Sequence, residues 1–192
     1  MLNRLYQLVL SLARSPHALW VLAAVSFAES SVFPIPPDVL LIPMVIASPK
    51  RAFLYAGTCT VASVAGGAFG YLIGAQLFHA VGRPILDFYG QMPRFDEFRD
   101  QFNAYGGLAV LVAGVTPFPY KVITITSGAT GLPLTAFLLW SITARALRFF
   151  VVAGLLWKFG EPIRSFIERR LGLLFGLFAI LLVAGFLVAA GL

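Results

Sequence analysis

Charge is scarce in this chain. Of its 192 residues 11% are charged and 59% hydrophobic, and the mean hydropathy is +0.89. Soluble domains carry about 25% charged residues, so a soluble fold is excluded and one integral membrane domain is expected. Cysteine is scarcer still: Cys59 stands alone, which rules out an intrachain disulfide. Two histidines and one cysteine are too few for a zinc site, so neither a metal nor another cofactor is expected. His17 and His79 read as surface residues near the membrane interfaces. No G-x-S-x-G, H-E-x-x-H or P-loop pattern occurs. No histidine falls at mid-membrane to activate a serine, so an enzyme is not expected. The net charge of +6 does not indicate nucleic acid, because the cations lie at the ends of apolar runs or inside them. That pattern suits anionic lipid head groups and topology signals. Arg4 and Arg14 precede an apolar run, as in a signal peptide, but apolar character continues past Glu29 without a small-residue cleavage site.

What is present is apolar sequence with regular interruptions. Residues 1–16 read as an interfacial segment ending at Pro16. Residues 17–47 are apolar but broken at Pro34, Pro36 and Pro37, with Lys50 and Arg51 as a basic boundary. The run 52–78 is long enough to cross about 30 Å of hydrocarbon as a helix. The stretch 79–104 is the most polar. There Phe95, Phe98, Phe102 and Tyr105 recur at helical spacing opposite Asp96, Glu97 and Asp100, which predicts an amphipathic interfacial helix. Residues 105–131 are broken at Pro117 and Pro119, and 134–157 are long enough to span. A basic loop with Lys158, Arg164, Arg169 and Arg170 is expected over 158–170, and 171–192 carry a last span (171–191).

The two broken segments correspond. Adding 83 to the residue number takes Pro34 to Pro117, Pro36 to Pro119 and Asp38 to Lys121. A full-length apolar run follows each, so 17–78 and 105–157 read as two repeats. Each half of a broken segment is too short to cross, and irregular backbone at depth must face protein or a water-filled cavity. Re-entrant hairpins follow. With crossings only at 52–78, 134–157 and 171–191, one side holds Arg4, Arg14, Lys50, Arg51, Lys158, Arg164, Arg169 and Arg170. The other holds Arg83, Arg94 and Arg99 beside four acids. The excess places the amino terminus in the cytoplasm and the carboxyl terminus outside. The expected fold is an all-α integral membrane protein: two inverted re-entrant-hairpin-plus-helix repeats, an interfacial amphipathic helix and a C-terminal transmembrane helix. In transporters such repeats place the site near the midplane.

Five ionisable groups fall at membrane depth: Glu29, Asp38, Lys121, Arg145 and Arg148. Arg145 and Arg148 share one helix face at i, i+3 spacing. An arginine at a helix centre costs about 2.5–3.5 kcal/mol on insertion scales, so both should face the bundle interior and pair with carboxylates or an anion. Three cations against two acids leave one positive charge for an anionic ligand. The plainer reading is that Glu29 and Asp38 only neutralise the arginines. Asp38, just after Pro36 and Pro37, also suits the start of a half-helix as a dipole partner. Lys121 in the equivalent place opposes that dipole. It either snorkels to water or holds an anion with the free N–H groups of the half-helix. Thr116, Thr124, Thr126 and Ser127 offer hydroxyls to a polar path or to their own backbone. Gly66, Gly70 and Gly74 form a small-residue face for close helix packing. A homo-oligomer through that face or through 171–191 is compatible with the sequence. Gly128 and Gly131 are placed to end a half-helix.

The stretch "FAESSVFPIPPDVLLIP" (27–43) resembles the F-x-E…P-x-x-P-[ED] signature of the DedA family, within the VTT or SNARE-associated superfamily. "FNAYGGLAVLVAGVTPFPYKVITITSGATGLPLTAFLLWS" (102–141) resembles its second signature, and the similarity spans roughly 20–160. Many members carry arginines on both sides of the second proline turn. Here those places are Thr116 and Lys121, and Arg145 and Arg148 stand in the next helix, as in the smaller YqaA-like branch. The resemblance implies lipid handling at the bacterial inner membrane: a flippase or scramblase for an anionic lipid such as a polyprenyl phosphate or phospholipid, in support of the envelope. Lys121, Arg145, Arg148, Thr116 and Thr124 would contact the head group, and Glu29 and Asp38 would couple to protons or pair with the cations. A proton-coupled small-ion or solute transporter and a non-transporting assembly factor are the alternatives.

Overall fold

The structure is a computed structural model that describes residues 17–32, 36–116 and 118–189, with the backbone alone for 161 and 163–189. The expected interfacial segment 1–16, Pro34 and Pro117 lie outside the described residues. The described chain is helical throughout. Helix α1 (Ala18–Ser31) stops ahead of the first proline cluster, and α2 (Asp38–Ala47) starts directly after Pro37. A 3₁₀ turn (Pro49–Arg51) leads into α3 (Ala52–Leu77), whose 26 residues reach about 39 Å. A π-turn (Phe78–Gly82) follows, then the short α4 (Arg83–Phe88). Pro84 explains the π-turn: it cannot donate to the carbonyl four residues back, and a wider turn accommodates the loss.

Helix α5 (Met92–Val115) joins the amphipathic stretch and the first arm of the second broken segment in one element. After Pro119 comes α6 (Tyr120–Ala129). It ends as the sequence predicts: Gly131 adopts φ +69°, and the N–H groups of Leu132 and Gly131 return to the carbonyls of Ser127 (3.0 Å) and Gly128 (3.2 Å). Helix α7 (Leu134–Ala189) then runs 56 residues, about 84 Å. The loop expected over 158–170 is replaced by helix. Gly160 and Pro162 are the two weak helix formers in that stretch, and the residues around them include strong helix formers such as Glu161, Arg164, Glu168 and Arg169. Pro49–Phe88 and Leu134–Gly160 are long and apolar enough to cross a membrane.

Close contacts fix the helix directions. On α3, Gly66 abuts the Phe27 backbone and Gly70 the Ser30 carbonyl, so α1 runs parallel to α3. Gly67 faces Tyr120 and Thr124, and further on Gly128 meets the backbone of Tyr71 and Ala75, so α6 is parallel to α3 as well. Phe53 meets Phe150 and Trp157 while Tyr71 meets Phe137, so α7 is antiparallel to it. Helix α5 follows α7, with Gly107 against Trp140 and Gly114 against Ala144. Hence α1–α2 enters and leaves at the Ala52 end of α3, and α5–α6 at the Leu77 end. The glycine face of α3 is covered within the chain by α1 and α6, so a second copy has no access to it.

Two apolar clusters result. One gathers Leu22, Leu41, Met44, Ala56, Cys59 and Phe149; the other gathers Val110, Tyr120, Leu132 and Phe137. Large apolar side chains such as Trp20, Val61, Phe88, Val112 and Leu139 face outward, as lipid contact requires.

Candidate functional site

Arg145 lies between the two clusters. Its guanidinium carbon is 4.0 Å from the ring centre of Tyr120 in one cluster and 5.5 Å from that of Phe149 in the other. The side chain is 1% exposed. Its Nη2 donates to Glu29 Oε2 and to Ser30 Oγ, the latter at 2.9 Å. Ser30 Oγ is in turn 3.0 Å from Glu29 Oε2 and 2.6 Å from Ser63 Oγ. The charge is thus held by a carboxylate, a hydroxyl chain and two ring faces, the kind of satisfaction a buried arginine needs.

One turn on, Arg148 uses its fork differently. Nη2 donates to Asp38 Oδ2 at 2.5 Å and Nη1 to the Thr116 carbonyl at 2.7 Å. A single guanidinium therefore ties the start of α2 to the end of α5, which belong to opposite broken segments. Asp38 makes no capping hydrogen bond at α2; its carboxylate reaches Arg148 instead. Its Oδ1 and Arg145 Nε are buried without a hydrogen-bond partner.

The two acids and two arginines that the sequence singles out are brought together as pairs. Lys121 is not: it is half-buried at the second residue of α6 and has no ion-pair partner among the described residues. The start of α6, behind the extended Pro119, has no side-chain cap. Thr116 contributes its carbonyl rather than its hydroxyl. Thr124 is fully buried, and its hydroxyl donates to the Lys121 carbonyl (2.9 Å) and the Ser30 carbonyl (3.2 Å), linking α6 to α1. Pro36, Pro37 and Pro119 stand at the turns. His17 and His79 are exposed.

Sequence reasoning missed four contributors. Ser30 and Ser63 relay between Glu29, Arg145 and α3, and Tyr120, anchored by its hydroxyl on Ser141 Oγ at 2.6 Å, carries the arginine. The signal available was their position: Ser30 adjoins Glu29, and Tyr120 sits inside the "TPFPYK" turn.

A domain family described as the VTT domain matches residues 34–158. An uncharacterised protein of Haemophilus influenzae is 36% identical over 170 residues, covering 85% of this chain and 87% of that protein. An uncharacterised homologue from Histophilus somni is 37% identical over 168 residues, with 85% and 87% covered. No solved structure matches the chain.

Proposed function

The chain belongs to the VTT domain family of membrane proteins, and on that premise we propose that it carries an anionic lipid, such as a polyprenyl phosphate or a phospholipid, across the bacterial inner membrane. In this reading both broken segments are re-entrant hairpins entering from opposite sides, an inverted repeat with the site where their tips meet. In this reading the Ala52 end, with its basic residues, faces the cytoplasm. The observation that carries the proposal is the unequal satisfaction of the cations at membrane depth. Arg145 and Arg148 each have a carboxylate, whereas Lys121 has none among the described residues. A cation at an uncapped half-helix start suits a phosphate, which gains both the ammonium and the backbone N–H groups.

The ion pairs give such a site its control. A phosphate that reaches Arg148 competes with Asp38 for the fork, and one that reaches Arg145 competes with Glu29. Protonation of either carboxylate removes the competitor, so a proton taken up at the pair frees an arginine for the head group. Release of Arg148 from Asp38 and Thr116 also unlatches the two hairpins from each other. No covalent chemistry is involved.

The test is leaflet exchange in reconstituted vesicles, with a fluorescent polyprenyl phosphate and a fluorescent phospholipid, with and without a pH gradient. Lipid movement that falls at least tenfold in Lys121→Gln is expected. Equal movement in wild type and Lys121→Gln refutes the lysine as head-group ligand. No movement of either lipid by folded protein refutes lipid transport and leaves small anions as the next cargo to assay.

A further inference from the structure

At the Leu77 end of α3, away from the ion pairs, a cavity of about 410 Å³ is walled by Phe78, His79, Arg83, Phe95, Asp96 and Arg99, with the last turn of α6 as its floor. The cations in it are not equivalent. Arg99 is engaged by Asp96 at 2.8 Å and Asp100 at 3.2 Å. Arg83 has no ion-pair partner among the described residues and lines the cavity exposed. A helix C-terminus repels anions through its open carbonyls, but here several of them are occupied. Those of Ser127 and Gly128 accept from Leu132 and Gly131, and that of Thr130 accepts from Asn103 Nδ2 at 2.9 Å.

The π-turn is what builds this wall. In an α-helix, residues five apart point about 140° away from each other. Bonding of i to i+5 brings them toward one face, and the Arg83 N–H does bond the Phe78 carbonyl. Phe78 and Arg83 consequently both line the cavity. Phe78 stacks on Phe95 with ring centres 4.4 Å apart, which gives an apolar wall beside the guanidinium. Outside the cavity Leu77, Val81, Ile85 and Phe88 are exposed, so whatever enters from this side comes past an apolar, lipid-facing surface.

We propose that this cavity is a second phosphate site, distinct from the charged centre, which takes the phosphate of a lipid head group at the opposite face of the membrane from the Ala52 end. Arg83 is its ligand through a bidentate fork, His79 adds a donor, and the Phe78–Phe95 wall meets the first carbons of the lipid. For its source the site rests on the lipid reading above; its chemistry does not. If transport occurs, the site is a waiting position for lipid on that face.

Calorimetric titration of the full-length protein in a non-ionic detergent tests it, with dihexanoyl phosphatidic acid and inorganic phosphate as separate probes. The lipid is expected to bind, Arg83→Gln to weaken it at least tenfold, and Arg83→Lys to weaken it less. Arg94→Gln removes the same charge from an exposed position outside the cavity and is expected to change affinity less than twofold. The same Arg83 dependence is expected in the Lys121→Gln chain, so failure of the central site and failure of this one are read separately. Unchanged affinity in Arg83→Gln, or an equal loss in Arg94→Gln, overturns the site. Inorganic phosphate binding as tightly as the lipid overturns the lipid as its ligand.

Discussion

Removing Arg145 and restoring the balance at Glu29 probes the centre of the molecule most directly. Arg145→Met keeps much of the side-chain volume between Tyr120 and Phe149 but leaves Glu29 with only Ser30 Oγ beside it, at 14% exposure. Breaking a buried pair from one side costs about 3–5 kcal/mol, because the remaining charge stays desolvated. Glu29→Gln strands a guanidinium that is 1% exposed and should cost a similar amount. Additive effects would total about 6–10 kcal/mol. The double variant has no stranded charge, and a buried pair replaced by neutral groups is often close to neutral. What it still loses is the cation–π stacking, up to about 2 kcal/mol. The expected coupling is therefore at least about 3 kcal/mol. Thermal unfolding in detergent, followed by the fluorescence of Trp20, Trp140 and Trp157, reads it out. At about 2–4 °C per kcal/mol for a chain of this size, each single variant melts about 6–20 °C lower and the double variant recovers most of that. A double variant whose loss equals the sum of the singles within about 0.5 kcal/mol refutes the pair as a coupled unit.

Lys121→Gln is expected to leave the melting temperature within about 2 °C, since no ion pair is broken, while lipid exchange in vesicles falls at least tenfold. Gly128→Ala drives a Cβ into the Tyr71 backbone and should cost at the top of the roughly 1–3 kcal/mol range for overpacking. Gly154→Ala meets open space and should gain up to about 1 kcal/mol from helix propensity; melting curves of the two separate packing from propensity. Tyr120→Phe removes the donor to Ser141 Oγ and strands a buried hydroxyl, an expected loss of about 1–2 kcal/mol in the same assay.

The sequence carried the local rules well. Prolines at 36, 37 and 119 mark where α2 and α6 begin, the positive φ of Gly131 ends α6, and the Gly66–Gly70–Gly74 spacing announces a face that admits backbone. It also carried the electrostatic necessity that Arg145 and Arg148 find acids. Which acid each finds was not legible. That depends on α7 running antiparallel to α3, so that one step of three residues passes from α1 to α2, a purely tertiary fact. The Arg148 bond to a main-chain carbonyl has no residue signature at all. The stretch 158–170 misled for a different reason. Its basic residues look like a solvated loop, yet they are good helix formers, and a single proline can kink a helix without ending it.

Where α1 and α6 lie on α3, main chain rests on main chain. Helices ordinarily resist translation because side-chain ridges sit in facing grooves. At Gly66 and Gly74 only backbone faces the glycine and no ridge stands in the way, while at Gly70 the Thr124 side chain is the nearest neighbour. Each arm is seated there as on a rail, and shear along α3 is the motion this contact permits once the Ser30–Ser63 and Thr124–Ser30 hydrogen bonds give way. Arg145 and Arg148, reaching across from α7, act as the catches that set where along that rail the two arms stop.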